Sequence, residues 1–224
     1  MTFSLIVRCP ETGMFGIAAA TAIPAVGKLL THAQAGVGAV ATQAKLNPYL
    51  GIDGLRLLQN GREAPEVLHI LASQDPRAQT RQCAVIDRNG RTAVWTGDEC
   101  IPWAGAVERE GFCVQGNRLA GRQVVEATAS AFEASSGKPL DERLMEALEA
   151  GDAAGGDVKG ERSATIYIVD REEYPLWDIR VDANPDPFRE LRRLHDIFAR
   201  KLIPEIKAMP TRANPAGEAE EHDA

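Results

Sequence analysis

The chain has 224 residues, 44% of them hydrophobic and 25% charged, enough apolar material for one sizeable core. Its 32 acidic residues outnumber 25 basic ones for a formal net charge of −7, a balance that excludes a nucleic-acid binder held by phosphate contacts. No apolar run approaches the roughly 20 residues of a membrane span, no charged-then-apolar leader precedes the first strand, and four scattered cysteines show no Cys-x-x-Cys spacing, so the expectation is a cytoplasmic protein with neither membrane nor nucleic-acid partner.

Residues 2–8 alternate, with Phe3, Leu5 and Val7 on one face of a strand and Thr2, Ser4 and Ile6 on the other. Turn chemistry at Pro10-Glu11-Thr12-Gly13 leads to a return strand, Gly16 to Thr21, and a third strand of small residues runs from Gly36 to Gln43. Helices are predicted over Ile52–Asn60 and Pro65–Ser73, then a hairpin of Cys83–Ile86 and Thr92–Trp95 around Asp87-Arg88-Asn89-Gly90. Phe112–Gln115 reads as another strand, Gln123–Ala134 and Asp141–Ala150 as helices, the second stopping at Gly151. Strands at Ala164–Val169 and Trp177–Val181 precede a last helix from Pro187 to about Lys201, with Phe188, Leu191, His195, Phe198 and Leu202 at helical spacing. Residues 1–205 form one expected domain, and the Pro-, Ala- and Glu-rich stretch 206–224 an expected disordered tail. Hairpins outnumber strand–helix–strand units, which favours antiparallel sheets. The fold class expected is α+β, two mainly antiparallel sheets facing each other between helical layers, a four-layer αββα sandwich.

Thr2 carries the fullest chemical hypothesis in the chain. If Met1 is removed, one residue holds both a hydroxyl nucleophile and an α-amine that titrates near ~8 and can take its proton. Gly36-Val37-Gly38-Ala39-Val40-Ala41 formally fits a dinucleotide-binding pattern, but it lacks a preceding apolar strand, and Asn47-Pro48 is expected to stop any helix after it. His32, His69, His195 and His222 are too dispersed for a metal site, so neither metal nor cofactor is expected. His69 and His195 read as packing residues, and Trp95, Trp103 and Trp177 as core or interface aromatics.

A set of short motifs runs along the chain: Met1-Thr2-Phe3-Ser4, Ala35 through Ala44, Asn47-Pro48, Trp103-Ala104-Gly105, Val114-Gln115-Gly116-Asn117, Ala153 through Asp157, Gly160, Ser163-Ala164, and Arg180 through Pro187. In these the sequence resembles the family catalogued as domain of unknown function 1028, grouped by fold with N-terminal-nucleophile (Ntn) hydrolases. The resemblance implies an Ntn-hydrolase-like αββα sandwich and, from the superfamily, amide cleavage without metal or cofactor. Proteasome-like relatives place a lysine near the nucleophile, whereas here Lys28 and Lys45 only bracket the region.

Thr2, Asn117 and Asp157 are the expected catalytic residues: nucleophile and base, oxyanion donor, and anchor for the Thr2 amine. Ser4, Thr42, Gln43, Lys159, Arg162 and Ser163 are the expected substrate-binding residues, the two bases suited to a substrate carboxylate. The function expected is hydrolysis of a small-molecule amide by a homo-oligomer, a dimer being favoured. The alternative is a ligand-binding or scaffolding protein that keeps the sandwich without hydrolysis.

Overall fold

The computed structural model describes residues 2–218; Met1 and the last part of the expected tail, 219–224, lie outside the described residues. Among the described residues ten strands form two sheets, every neighbouring pair antiparallel. The strands are β1 (Thr2–Arg8), β2 (Phe15–Thr21), β3 (Thr31–Gln34), β4 (Gly38–Ala44), β5 (Arg81–Asp87), β6 (Thr92–Thr96), β7 (Ala104–Arg109), β8 (Phe112–Asn117), β9 (Ser163–Val169) and β10 (Trp177–Val181). The larger sheet runs β10-β9-β2-β1-β8-β7 and the smaller β3-β4-β5-β6.

Alternation sorts the side chains into three apolar layers. Phe3, Leu5 and Val7 of β1 pack with Ala18, Ala20, Val114 and Ile166 under α4 (Arg122–Ala134), α5 (Leu140–Ala153) and α6 (Pro187–Ala208). Val40, Cys83 and Val85 of the smaller sheet pack under α2 (Pro48–Gln59) and α3 (Ala64–Gln74). Between the sheets Ile6, Phe15, Ile17 and Cys113 meet Ala39, Ala41, Ala84 and Ile86. The expected αββα sandwich is therefore observed, with the faces of β1 as the alternation assigned them. Among the described residues no helix is long and apolar enough to cross a membrane.

Several boundaries differ from expectation for local reasons. Asn47-Pro48 starts a helix instead of stopping one: the Asn47 side chain accepts from the Tyr49 N–H at 3.2 Å, and proline opens α2, where its missing N–H costs nothing. Gly151 does not end α5, which continues to Ala153; a Cβ there would lie 2.6 Å from the Phe3 ring, so glycine lets the helix settle on β1. Strands β3 and β7 and the short α1 (Val26–Leu29) were not expected from the sequence; as sheet-edge strands, β3 and β7 carry few wholly buried residues to reveal them. Helix α6 runs on through Pro204 to Ala208, crossing the boundary expected at 205. Glu218 N–H then returns to the Ala208 carbonyl at 2.7 Å, and the Tyr174 hydroxyl to that of Pro210 at 3.0 Å. His195 packs as expected, stacked 4.9 Å from Trp177, and also meets Asp141 Oδ2 at 2.7 Å.

Candidate functional site

The layer between the sheets is apolar at one end and polar at the other. Register explains the polar end: Thr2 pairs with Thr21 on one side and Asn117 on the other, and Thr21 pairs with Ser163. Asn117, Thr2, Thr21 and Ser163 thus form a row across four strands, and Gln43, Gln82 and Thr96 form a matching row on the smaller sheet. All but Thr96 are buried.

Hydrogen bonds join the two rows. Gln82 Nε2 donates to the carbonyls of Gly105 and Gly116 at 3.1 and 2.8 Å and to Thr96 Oγ1 at 2.9 Å. Because carbonyls only accept, this fixes Gln82 Oε1 as an acceptor, which takes Gln43 Nε2 at 2.8 Å and Asn117 Nδ2 at 3.1 Å. Gln43 Nε2 also reaches the Thr2 carbonyl at 3.3 Å, and Gln43 Oε1 accepts from Ser4 Oγ at 2.7 Å. Gln115 Nε2 donates to the Ala41 carbonyl at 3.0 Å and to Ser4 Oγ at 3.4 Å. Thr2 Oγ1 donates to Thr21 Oγ1 at 3.1 Å.

The donor inventory singles out one group. Both Nε2 hydrogens are engaged on Gln43, Gln82 and Gln115, whereas among the described residues Asn117 Nδ2 donates to Gln82 alone. Asn117, paired across from Thr2, therefore keeps one N–H to offer beside the Thr2 hydroxyl.

The other expected residues take different places. Thr42 lies on the opposite face of β4 from Gln43 and donates to the Asn47 carbonyl at 3.3 Å, so the structure does not bring it to Thr2. Ser163 joins the polar row, but its hydroxyl bridges the Ile23 carbonyl at 2.7 Å and the Val26 N–H at 3.1 Å, clamping the loop after β2. Asp157 is buried; its oxygens accept from the Ala22 N–H at 3.2 Å and the Lys159 N–H at 2.9 Å, joining two loops beside the site. Lys159 and Arg162 are exposed on the loop itself, and Lys28 and Lys45 are exposed as well. Burial pushes the Cys83 thiol up to about 12 and holds Cys113 well above its usual range, so neither of these two thiols, the first under the helices and the second between the sheets, is a ready thiolate.

Thr21, Gln82, Gln115 and Glu161 were not among the expected site residues. Gln82 falls one position before the strand expected from Cys83, yet alternation puts it on the face of Ala84 and Ile86, and a glutamine in such an inward row is the missed signal. Glu161 Oε1 accepts from the Asp157 N–H at 2.6 Å beneath Gly156, where φ is +44° and a Cβ would lie 2.2 Å from that oxygen.

Burial and, secondarily, the nearby Asp152 carboxylate raise the Glu161 carboxyl to about 7, against the pull of the Asp157 N–H. The folded chain therefore keeps a proton that the unfolded carboxyl releases above about 4.5. This contribution to stability is full below that pH and is lost as pH rises through about 7. Glu161→Gln keeps the acceptor oxygen and removes the titration. Thermal melts from pH 5 to 8 should show the variant's midpoint falling less than the wild type's; parallel curves would refute the assignment.

The sequence matches the family described as "Family of unknown function (DUF1028)" over residues 2–191. The chain belongs to DUF1028. The matched span takes in every residue of the polar end. The crystal structure of protein SPO2555 from Silicibacter pomeroyi, of the same family, is similar to the DUF1028 chain described here at a TM-score of 0.90 and 28% identity, covering 100% of this chain and 97% of that one. Anbu (ancestral beta-subunit) from Yersinia bercovieri gives a TM-score of 0.41 at 14% identity, over 88% of this chain and 97% of that one. No curated protein matches.

Proposed function

We propose that this DUF1028 chain is an Ntn-type amidohydrolase in which Thr2, exposed as the first residue by loss of Met1, is the nucleophile. The observation that carries this reading is the setting of Thr2: a hydroxyl on a central strand, buried between two sheets, with a neutral amide network fixing its carbonyl and one amide N–H left to give beside it. The α-amine takes the Thr2 Oγ1 proton, and the oxygen attacks the carbonyl carbon of the substrate amide. The oxyanion that forms is met by the remaining Asn117 N–H, held in place by Gln82. The ammonium gives its proton to the departing nitrogen, the C–N bond breaks, and an acyl ester remains on Thr2. Water, deprotonated by the same amine, hydrolyses that ester and restores the hydroxyl. Ser4, Gln43 and Gln82 are positioning residues in this scheme, and Asp157 holds the loop beside the site.

A β-lactone, which acylates activated hydroxyls, tests the reading directly. Incubation of chain lacking Met1 should add one lactone mass, mapped by peptide mass spectrometry to Thr2, while chain retaining Met1 stays unlabelled. Labelling elsewhere, or functional protein that retains Met1, would refute it.

A further inference from the structure

The loops at the Thr2 end are stitched to one another by backbone hydrogen bonds and by the Asp157 carboxylate. Arg162 N–H donates to the Thr21 carbonyl at 2.7 Å, and Ala22 N–H to Asp157 at 3.2 Å. Arg118 N–H donates to the Ile101 carbonyl at 2.9 Å, and Leu119 bridges to Asp157. These contacts bring the segments around residues 22–25, 101–103, 118–119 and 157–162 together over the row that holds Thr2.

Two kinds of side chain stand on these loops. Ile23, Ile101 and Val158 are among the few large hydrophobic residues left in solvent, at 57%, 53% and 59% exposure. Each follows or is hydrogen-bonded to a segment that ends in a site residue. Three such residues on hydrogen-bonded neighbouring loops form an apolar surface that suits a ligand. The same loops carry Arg118, Lys159 and Arg162, none of which has an ion pair among the described residues. The acidic residues of the 157–162 segment do not neutralise them from outside: Asp157 and Glu161 are buried and turned to backbone N–H groups. Asp98 and Glu99 are exposed before Ile101, and Asp182 and Asp186 are exposed on either side of Asn184, whose N–H donates to the Arg162 carbonyl at 2.8 Å, so the three cations stand among carboxylates without being paired to them. A chain of net charge −7 thus presents, beside the neutral amide-lined row, an apolar rim that carries three cations without ion pairs among the described residues.

We infer that this rim binds an amphiphilic anion: an amide with an apolar chain on its acyl side and a carboxylate on its amine side, of the N-acyl amino acid class. The inference rests on the reading of Thr2 as the attacking group, and it names the substrate class for that reaction. The neutral interior takes the uncharged amide, the isoleucines and Val158 cover the acyl chain, and the cations meet the carboxylate in water-exposed, charge-assisted hydrogen bonds.

Calorimetric titration of the full chain with N-hexanoylglycine, hexanamide and N-acetylglycine tests this, since the second lacks the carboxylate and the third most of the chain. N-Hexanoylglycine should bind about tenfold or more tighter than either. The double variant Lys159→Ala/Arg162→Ala should erase the advantage over hexanamide, and Val158→Asp that over N-acetylglycine, while Arg200→Ala on α6 changes nothing. Equal affinities for the three ligands, or unaltered preference in both variants, would overturn the inference. So would a dimer that Val158→Asp dissociates without touching ligand affinity, because the rim would then be a contact between two copies. Binding with the expected preferences but without turnover in chain lacking Met1 upholds the rim and refutes Thr2 as nucleophile. Turnover of all three amides without preference does the reverse.

Discussion

Replacing Thr2 with alanine should reduce amide hydrolysis at least about a thousandfold while moving the thermal midpoint by only a few degrees. The separation of the two effects follows from the geometry. The hydroxyl makes a neutral bond to Thr21 Oγ1 at 3.1 Å, an interaction of about 1 kcal/mol, whereas the bond from Gln43 goes to the Thr2 backbone carbonyl and survives the substitution. The pairing of Thr2 with Thr21 and Asn117 is likewise backbone and persists. What disappears is the only atom that can attack in the proposed reaction, and with it the acyl intermediate. Thr2→Ser keeps hydroxyl and amine and should retain measurable turnover and lactone labelling. Initial rates on the N-hexanoylglycine series, beside calorimetric melts of the three proteins, give both readings. Hydrolysis by Thr2→Ala at the wild-type rate would remove Thr2 from the mechanism and leave the sandwich as a binding protein.

The sequence conveyed the layers better than the site. Strict alternation in β1 put Phe3 on one face and Ser4 on the other, under the helices and between the sheets respectively, because successive residues of a strand point to opposite sides even where both are buried. Thr2 was legible as chemistry, since its two functional groups sit on one residue and need no partner to be recognised. Gln43 was legible as an amide facing a cleft, but its neighbour Thr42 was assigned to the same cleft, although adjacent residues in a strand face opposite ways. Gln82 was invisible for another reason. Its contacts with Gly105, Gly116 and Asn117 span 23 to 35 residues of sequence and exist only because one sheet packs on the other. Local patterns report burial and direction but do not report which sheet lies opposite. The same limit applies to Asp157, whose loop was singled out by composition while its actual partners, the Ala22 and Lys159 N–H groups, came from the fold.

Gln82→Leu should be the most destabilising single substitution at the polar end, by about 3–5 kcal/mol, or a midpoint lower by about 10 °C for a chain of this size. Leucine matches glutamine closely in volume, so the loss is one of hydrogen bonding and not of a cavity. It strips the acceptor from Gln43 Nε2 and Asn117 Nδ2 and the donor from the Gly105 and Gly116 carbonyls and Thr96 Oγ1, leaving five polar groups without this partner, of which Thr96 alone is only part-buried. Each buried group so orphaned costs about 1–3 kcal/mol, less whatever water entering the site recovers. Gln82→Glu separates the two halves of the role. It keeps oxygen acceptors for Gln43 and Asn117, but it faces both carbonyls with an oxygen and buries a carboxyl among neutral groups. That variant should therefore gain stability as pH falls, when protonation restores one donor. Under the proposed mechanism Gln82→Leu also lowers kcat, because Asn117 is no longer held across from Thr2, whereas KM, set at the outer loops, changes little. Thermal melts and rate measurements on the folded protein would check both statements. A midpoint within 2 °C of wild type would mean that the two sheets are not joined through this side chain.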